Sequence, residues 1–333
     1  MSDPRPEPGS PAFFQIADAL QQSLMRSASN SLKSGNLELS ESRYREIFEI
    51  CDHVLTQISK NADWFSELPA GRKTLIQSYF EQSRDLALAG VANVLCRTGR
   101  GDEAIPIYEN ILQRRRVGLE ADPADRNARD QLALQYRNYG QSMLRLGKPE
   151  EAVRLMGQSH DLAAENFKLD PTNANFKRSL GHCLYYWGVA RDATGQINDA
   201  LVLFERSRIL REELLAVSND QANQVNCMLS YGRLGDFEKA IPLIDSLSAS
   251  EKKDPDLRIA IARALVQLSR TATDDRSNED LLKRAFESIQ QAVMDGLLDA
   301  QALAMEMDLA PLRETPKFNE IIERLEEIRL QPN

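Results

Sequence analysis

The residues from which catalytic or metal chemistry would have to be built are three histidines, four cysteines and a few paired carboxylates. His53, His160 and His182 share no ligand spacing, and Cys51 and His53, two apart, fall on different faces of a helix. Cys51, Cys96, Cys183 and Cys227 stand 45, 87 and 44 apart with no C-x-x-C pair. Reduced thiols packed as small core residues are expected, not a disulfide framework or a metal site. Glu150–Glu151 and Glu326–Glu327 read as solvated pairs at a helix start or on an exposed face. No serine lies in a G-x-S-x-G elbow, and dispersed histidines do not make a triad. No catalytic residue, metal or cofactor is expected, and the chain is read as not an enzyme. Arg114-Arg115-Arg116 falls late in a helix, where cations complement the terminal carbonyls. Arg100-Gly101-Asp102 spells an integrin-like tripeptide but occupies a turn. What remains is recognition chemistry: amides that can satisfy an extended backbone, and arginines that can grip carboxylates in a fork.

Composition narrows the partners. The 333 residues hold 41 Lys and Arg against 50 Asp and Glu, a net charge of −9. That sign argues against a nucleic-acid binder, which needs clustered positive charge. Apolar residues make up 42% and aromatics 6%. The apolar set is mainly Ala, Leu and Ile, which favours helices over sheets. No run approaches a membrane span, so no membrane insertion is expected. The first residues, MSDPRPEPGSPA, lack a secretion signal; residues 1–12 read as a disordered, proline-rich leader, and the chain as cytoplasmic.

The elements that must carry the recognition residues announce themselves by a period. TGRGDEAI, LGKPEEAV, TGQINDAL and LGDFEKAI place Gly99, Gly147, Gly195 and Gly235 at intervals of 48, 48 and 40, and Ala104, Ala152, Ala200 and Ala240 keep the same intervals. EADPADRN and KLDPTNAN repeat at 48 again, so that Asn127, Asn175 and Asn223 form a third series. Each period holds a glycine hinge and an Asp-Pro or Asn-Asp break, hence two helices. Residues 127–146 and 149–168 make one such pair, with Tyr136, Tyr139, Gly140 and Met143 on one apolar face and Ala152, Leu155 and Met156 on the other helix. Pro149 suits a first helical turn. Asn223 to Gly235 is 12 residues where Asn127 to Gly147 is 20, so the first helix of the fourth unit is expected to lose about two turns.

These residues resemble the tetratricopeptide repeat, a helix-turn-helix unit of about 34 residues. The matching features are a small residue twelve before the repeat alanine (Ala92, Gly140, Gly188), the hinge glycine, and a large apolar residue four after the alanine (Tyr108, Met156, Phe204). The family's late proline falls at Pro123 and Pro171. The extra length comes to about two turns in each helix, which preserves the buried face. The resemblance implies an all-α fold: a right-handed α-solenoid of stacked antiparallel helix pairs. Four repeats are assigned to residues 74–256, preceded by a divergent helix pair and loop at 13–73 and followed by capping helices at 257–333. Within the first part Phe13–Ser34 and Glu41–Ala62 read as the helices and Asp63–Lys73 as the loop. Helices at Leu257–Thr271, Glu279–Asp295 and Pro316–Arg329 are expected beyond the repeats.

The segment 292–322, with its D-L-A-P-L-R-x-x-P-x-F core from Asp308 to Phe318, resembles a cap that follows such repeats. Together with the long units it looks like the C-terminal half of large bacterial serine/threonine kinases, over roughly residues 80–330. That resemblance implies a regulatory or oligomerising module, with no kinase domain in this chain. There is no glycine-rich phosphate loop, no V-A-I-K lysine and no H-R-D motif; Ser83-Arg84-Asp85-Leu86 lacks the histidine, and Asp236-Phe237-Glu238 lacks the glycine of D-F-G.

In tetratricopeptide arrays the first helices of successive units line the binding groove. Carried onto this sequence, the groove columns contain Asn138, Tyr186 and Asn226; Asn93 and Gln141; Arg97, Arg145 and Arg233; and His182, with Arg137 and Tyr185 beside them. These eleven residues are the expected peptide-binding set. Of the adjacent tyrosines one is expected to face the groove, and Trp187 to join the core. Clamps of this family that hold acidic chaperone tails use Asn with Lys or Arg at related places. Asn93 and Asn138 match in kind, but His182 and Tyr186 stand where basic residues would be needed, so chaperone-tail binding is not expected. The expected function is therefore a non-catalytic scaffold for a protein or peptide ligand. Homo-oligomerisation through the apolar Phe13–Leu24 stretch is compatible with it.

Overall fold

A computed structural model describes residues 11–60 and 63–330. Its helices are α1 (Pro11–Lys33), α2 (Leu37–Ser59), α3 (Asp63–Glu67), α4 (Ala70–Arg97), α5 (Gly101–Ala121), α6 (Arg126–Arg145), α7 (Pro149–Leu169), α8 (Ala174–Ala193), α9 (Ile197–Val217), α10 (Gln221–Leu234), α11 (Phe237–Ser248), α12 (Pro255–Ser269), α13 (Asp275–Met294), α14 (Ala300–Met305) and α15 (Pro316–Leu330), with a 3-10 turn at Met307–Leu312. No strand occurs among the described residues. The fold is all-α, a tandem of helix pairs, as the periodicity implies. It divides into two compact units, Met1–Ile111 and Leu112–Asn333.

In the first unit α1 packs on α2 and α2 on α4. The buried stripe of α2, Leu37, Ser40, Tyr44, Ile47, Cys51, Val54 and Ile58, follows the three- and four-residue steps of one helix face. Two expectations are corrected here. Helix α1 already begins at Pro11, so the expected leader does not reach residue 12; residues 1–10 lie outside the described ones. The segment 63–73 is not a loop: α3 occupies its start, and α4 takes over at Ala70 and runs for 28 residues.

In the second unit the hinge chemistry recurs with the period. Asp125 and Asn173 cap α6 and α8 through the same pair of bonds, each side chain accepting from the backbone N–H groups two and three residues on. Gly147 and Gly195 end the first helices at φ 69° and 77°, a left-handed conformation that costs glycine little. Ser159 on α7 donates to the Ala133 carbonyl at 2.7 Å, and Ser207 on α9 to the Gly181 carbonyl at 2.8 Å. The ion pairs Arg129–Glu165 and Lys177–Glu213 are likewise one period apart. Gly140 and Gly188 let the helices of a pair approach closely. A Cβ on them would lie 2.8 Å from Met156 Cε and 2.6 Å from Phe204 Cε1. In these two repeats the small and the large residue therefore meet in space.

The regular pairs α6/α7 and α8/α9 have helices of 20 and 21 residues, and then the lengths break: α10 has 14 and α11 has 12. Six residues of first helix are missing, close to the two turns the sequence leads one to expect. The first turns of α8, about a third of its length, therefore have no counterpart in α10. The buried Arg211 of α9 stands one period after the buried Ala163, and its head reaches the Asn226 carbonyl at 2.8 Å and the Ser230 hydroxyl at 2.9 Å on the shortened helix.

Candidate functional site

Of the eleven expected binding residues, Asn93 and Arg97 lie on α4 of the first unit, and the others lie in the second. Asn93, Arg97 and Arg145 are half-buried and each is engaged within the protein. On α6, Arg137, Asn138 and Gln141 are half-buried; on α8, His182 and Tyr186; on α10, Asn226. Because α6 and α8 keep the same register, Asn138 and Tyr186 are equivalent positions on neighbouring first helices.

Two expected ligand-binding residues are instead consumed by the protein itself. Tyr185 and Arg233 are 1% and 8% exposed. Their common partner is Asp308, in the 3-10 turn. Arg233 donates to one carboxylate oxygen of Asp308. Arg263 of α12 donates to the other at 2.8 Å, and the Tyr185 hydroxyl lies 3.3 Å from that same oxygen. Gln267 holds the Asp308 carbonyl at 3.1 Å. Arg233 also bonds Asp192 at 2.6 Å, and Arg270 bonds the same carboxylate at 2.9 Å. Two arginines and a tyrosine thus clamp a carboxylate here, and that carboxylate belongs to this chain.

The electrostatics follow from burial. Burial alone would raise the Asp308 carboxyl, but Arg233 and Arg263 beside it hold it below the ordinary carboxylate range. Burial pushes the Tyr185 hydroxyl up to about 12, with Asp308 adding to the rise. Arg211 has no carboxylate partner among the described residues; burial draws it down to about 10. Its guanidinium lies 4.4 Å from the centre of the Tyr185 ring, a cation–π contact. His182 is held well below its usual value, first by burial and then by Arg211, Arg137 and Arg178. It is a neutral imidazole among three cations. Arg137 also reaches the Cys183 thiol.

Arg178, Arg211, Arg263 and Asp308 are absent from the set drawn from the sequence. Arg211 carries a signal in the period, standing where the previous repeat has alanine. Asp308 lies inside the D-L-A-P-L-R core, but nothing local marks its partners. Trp187 packs, half-buried, against the core cluster of Leu180, Cys183, Leu184 and Leu203. All four cysteines are free and buried. Among the described residues no three His, Cys, Asp or Glu side chains gather as a metal-binding group, and no helix is long and apolar enough to cross a membrane.

The repeat geometry defines a tetratricopeptide-like helical protein. The tetratricopeptide repeat family profile matches residues 87–121, the second half of α4 with the Gly99 turn and α5. No curated protein matches the chain. Among solved structures, the chain is similar to Nro1, described as a hypoxic regulator of sterol synthesis and a nuclear import adaptor, at 15% identity, covering 93% of each chain with a TM-score of 0.39. A second structure of Nro1, from S. pombe, gives 14% identity over 94% of this chain and 96% of that one, with a TM-score of 0.32. Yeast Tom70 gives 11% identity over 94% and 85%, with a TM-score of 0.21.

Proposed function

We propose that this chain is a non-catalytic protein-binding scaffold that takes an extended segment of a partner across the first-helix face of its second unit. The observation that carries the reading is a row of polar groups left without work inside the protein. Asn138 and Gln141 on α6 and the Tyr186 hydroxyl on α8 are half-buried, yet have no hydrogen-bond partner among the described residues. Amides and a phenol held on rigid helices suit the N–H and C=O groups of an extended chain. Cytoplasmic residence belongs to the same reading.

The test is selection from a displayed peptide library with the wild type, followed by affinity measurement against Asn138→Ala/Gln141→Ala/Tyr186→Ala. Both proteins must show the same helical circular dichroism. Loss of affinity by about tenfold or more in the variant is the expected result; equal binding would put the site on another surface.

A second reading, self-association, is favoured by Ile16 and Leu20 on α1, which are 53% and 48% exposed although the rest of the helix buries Phe14 and Ala17. Sedimentation should then show an oligomer that Ile16→Lys/Leu20→Lys dissociates. The link to a bacterial serine/threonine kinase rests on the 292–322 resemblance, and a kinase domain in the same or an adjoining reading frame is the observation that would favour it.

A further inference from the structure

The second helices of the repeats each turn one face outward, and the period fixes which residues stand on it. On α5 three of these places hold Pro106, Gln113 and Glu120, and on α7 they hold Arg154, Asp161 and Lys168, all of them exposed. On α9 the equivalent residues are Val202, Ile209 and Ala216, also exposed, the first two at 60% and 44%. Val217 beside them is 84% exposed. Single exposed apolar side chains are ordinary on a soluble protein, but three at seven-residue steps along one helix form a continuous strip. The strip is not a displaced core face, because Ala200, Leu203, Phe204, Ser207, Arg211 and Leu214 are the residues that α9 buries. Charges flank it. Arg206 and Glu213 keep the same seven-residue step along one edge, and both are exposed. Arg206 has no carboxylate within ion-pair distance among the described residues, whereas nearby Arg208 holds both Glu205 and Glu212. Glu213 meets Lys177 at 2.7 Å and is still half exposed. Arg206 and Glu213 cannot pair with each other, since seven residues separate them by about 10.5 Å along the helix.

We infer that the outer face of α9 docks against α9 of a second copy of this chain, packed antiparallel about a two-fold axis. Positions 202 and 217, and positions 206 and 213, lie equally far on either side of the midpoint between Ile209 and Leu210. An axis at that midpoint sets Val202 of one copy against Val217 of the other, and Ile209 against its own equivalent. An antiparallel pair brings the same edge of both helices together, so Arg206 of each copy meets Glu213 of the other. One register thus satisfies the apolar strip and both charges at once. That self-complementarity is the reason to name a second copy, since a strip built for an unrelated helix would need no such symmetry. The contact runs from Val202 to Val217, about 22 Å of helix. One helix on one helix buries less than a standard interface, so a dissociation constant in the micromolar range or weaker is expected. The inference does not rest on the scaffold reading above; it uses no residue of the first-helix face and none of α1.

Sedimentation equilibrium of the full chain from about 1 to about 200 µM tests it, and the wild type should pass from monomer to dimer. Val202→Arg/Ile209→Asp gives α9 the residues that α7 carries at the same places. This variant should keep the helical circular dichroism of the wild type and weaken dimerisation by about tenfold or more. Arg206→Glu and Glu213→Arg should each weaken it alone, by setting like charges across the contact. An equimolar mixture of these two single variants should associate more tightly than either one, because every edge position then faces its opposite charge. Failure of the mixture to recover overturns the antiparallel register and with it the proposal. If Ile16→Lys/Leu20→Lys abolishes the dimer while Val202→Arg/Ile209→Asp leaves it intact, the contact runs through α1 and the proposal falls. A monomer at every concentration overturns it as well, and leaves the strip to a helix of another protein.

Discussion

Arg233 donates to the carboxylate of Asp308 across 75 residues of sequence, and the two side chains are 4% and 1% exposed. This pair ties the 3-10 turn at Met307–Leu312 to α10, while Arg263 and Gln267 tie it to α12. A buried ion pair need not stabilise a protein relative to an apolar replacement, but removing one partner strands the other in low dielectric.

Asp308→Asn keeps the shape and removes the charge, leaving Arg233 and Arg263 facing a neutral amide. A loss of about 3 kcal/mol is expected, read as a lower urea midpoint at unchanged slope. The pH dependence has a definite sign. The folded carboxyl lies below its unfolded value of about 4, so its contribution is complete above that pH and is lost as pH falls through the folded value. Wild type should therefore lose more stability than the variant on acidification below pH about 4. Parallel curves would remove Asp308 from the account.

His182 acts in a different window. Its folded value lies well below the ordinary one, so the unfolded chain binds the extra proton, and stability falls as pH drops below about 6.5. The slope for one such proton is about 1.4 kcal/mol per pH unit. His182→Gln should flatten the stability curve between about pH 5 and 6.5. In the wild type, the His182 ring proton resonances should not titrate with a midpoint near 6.5; if they do, the imidazole is not held neutral by its surroundings.

Gly188 and Gly140 occupy equivalent positions, but their neighbours differ in stiffness. A methyl at Gly188 would meet the Phe204 ring, which is backed by Tyr185 at 5.6 Å and Arg233 at 5.2 Å. At Gly140 it would meet the flexible end of Met156. Gly188→Ala should cost about 2 kcal/mol and Gly140→Ala clearly less. Thermal unfolding of the two variants checks this. Phe204→Leu should recover part of the loss in the Gly188→Ala background and lower stability in the wild type.

The helix pairs were legible because each signal for them is local and repeats. Asp125 and Asn173 cap the helices that follow them, Gly147 and Gly195 end the preceding ones, and Pro149 opens α7. Even the shortening of α10 shows as a smaller Asn-to-Gly interval. Pro69 and Gly71 make the segment 63–73 look like a loop in sequence, which it is not. Pro69 in fact takes the N-cap place of α4, and Gly71 sits in its first turn, where neither breaks a helix.

By itself the sequence determined which stretches of the repeats are helices, where they turn and which small and large residues recur with the period, since a helix needs only contacts within a few residues to choose its caps and its buried face. It also determined that Asn138 and Tyr186 occupy equivalent places. The tertiary structure alone decided which polar side chains are spent and which are spare. Tyr185 lies 123 residues and Arg233 75 residues from the carboxylate they share. Nothing in the spacing around either could reveal that partner, because the charge that binds them arrives only when the segment after α14 folds back onto α10 and α12.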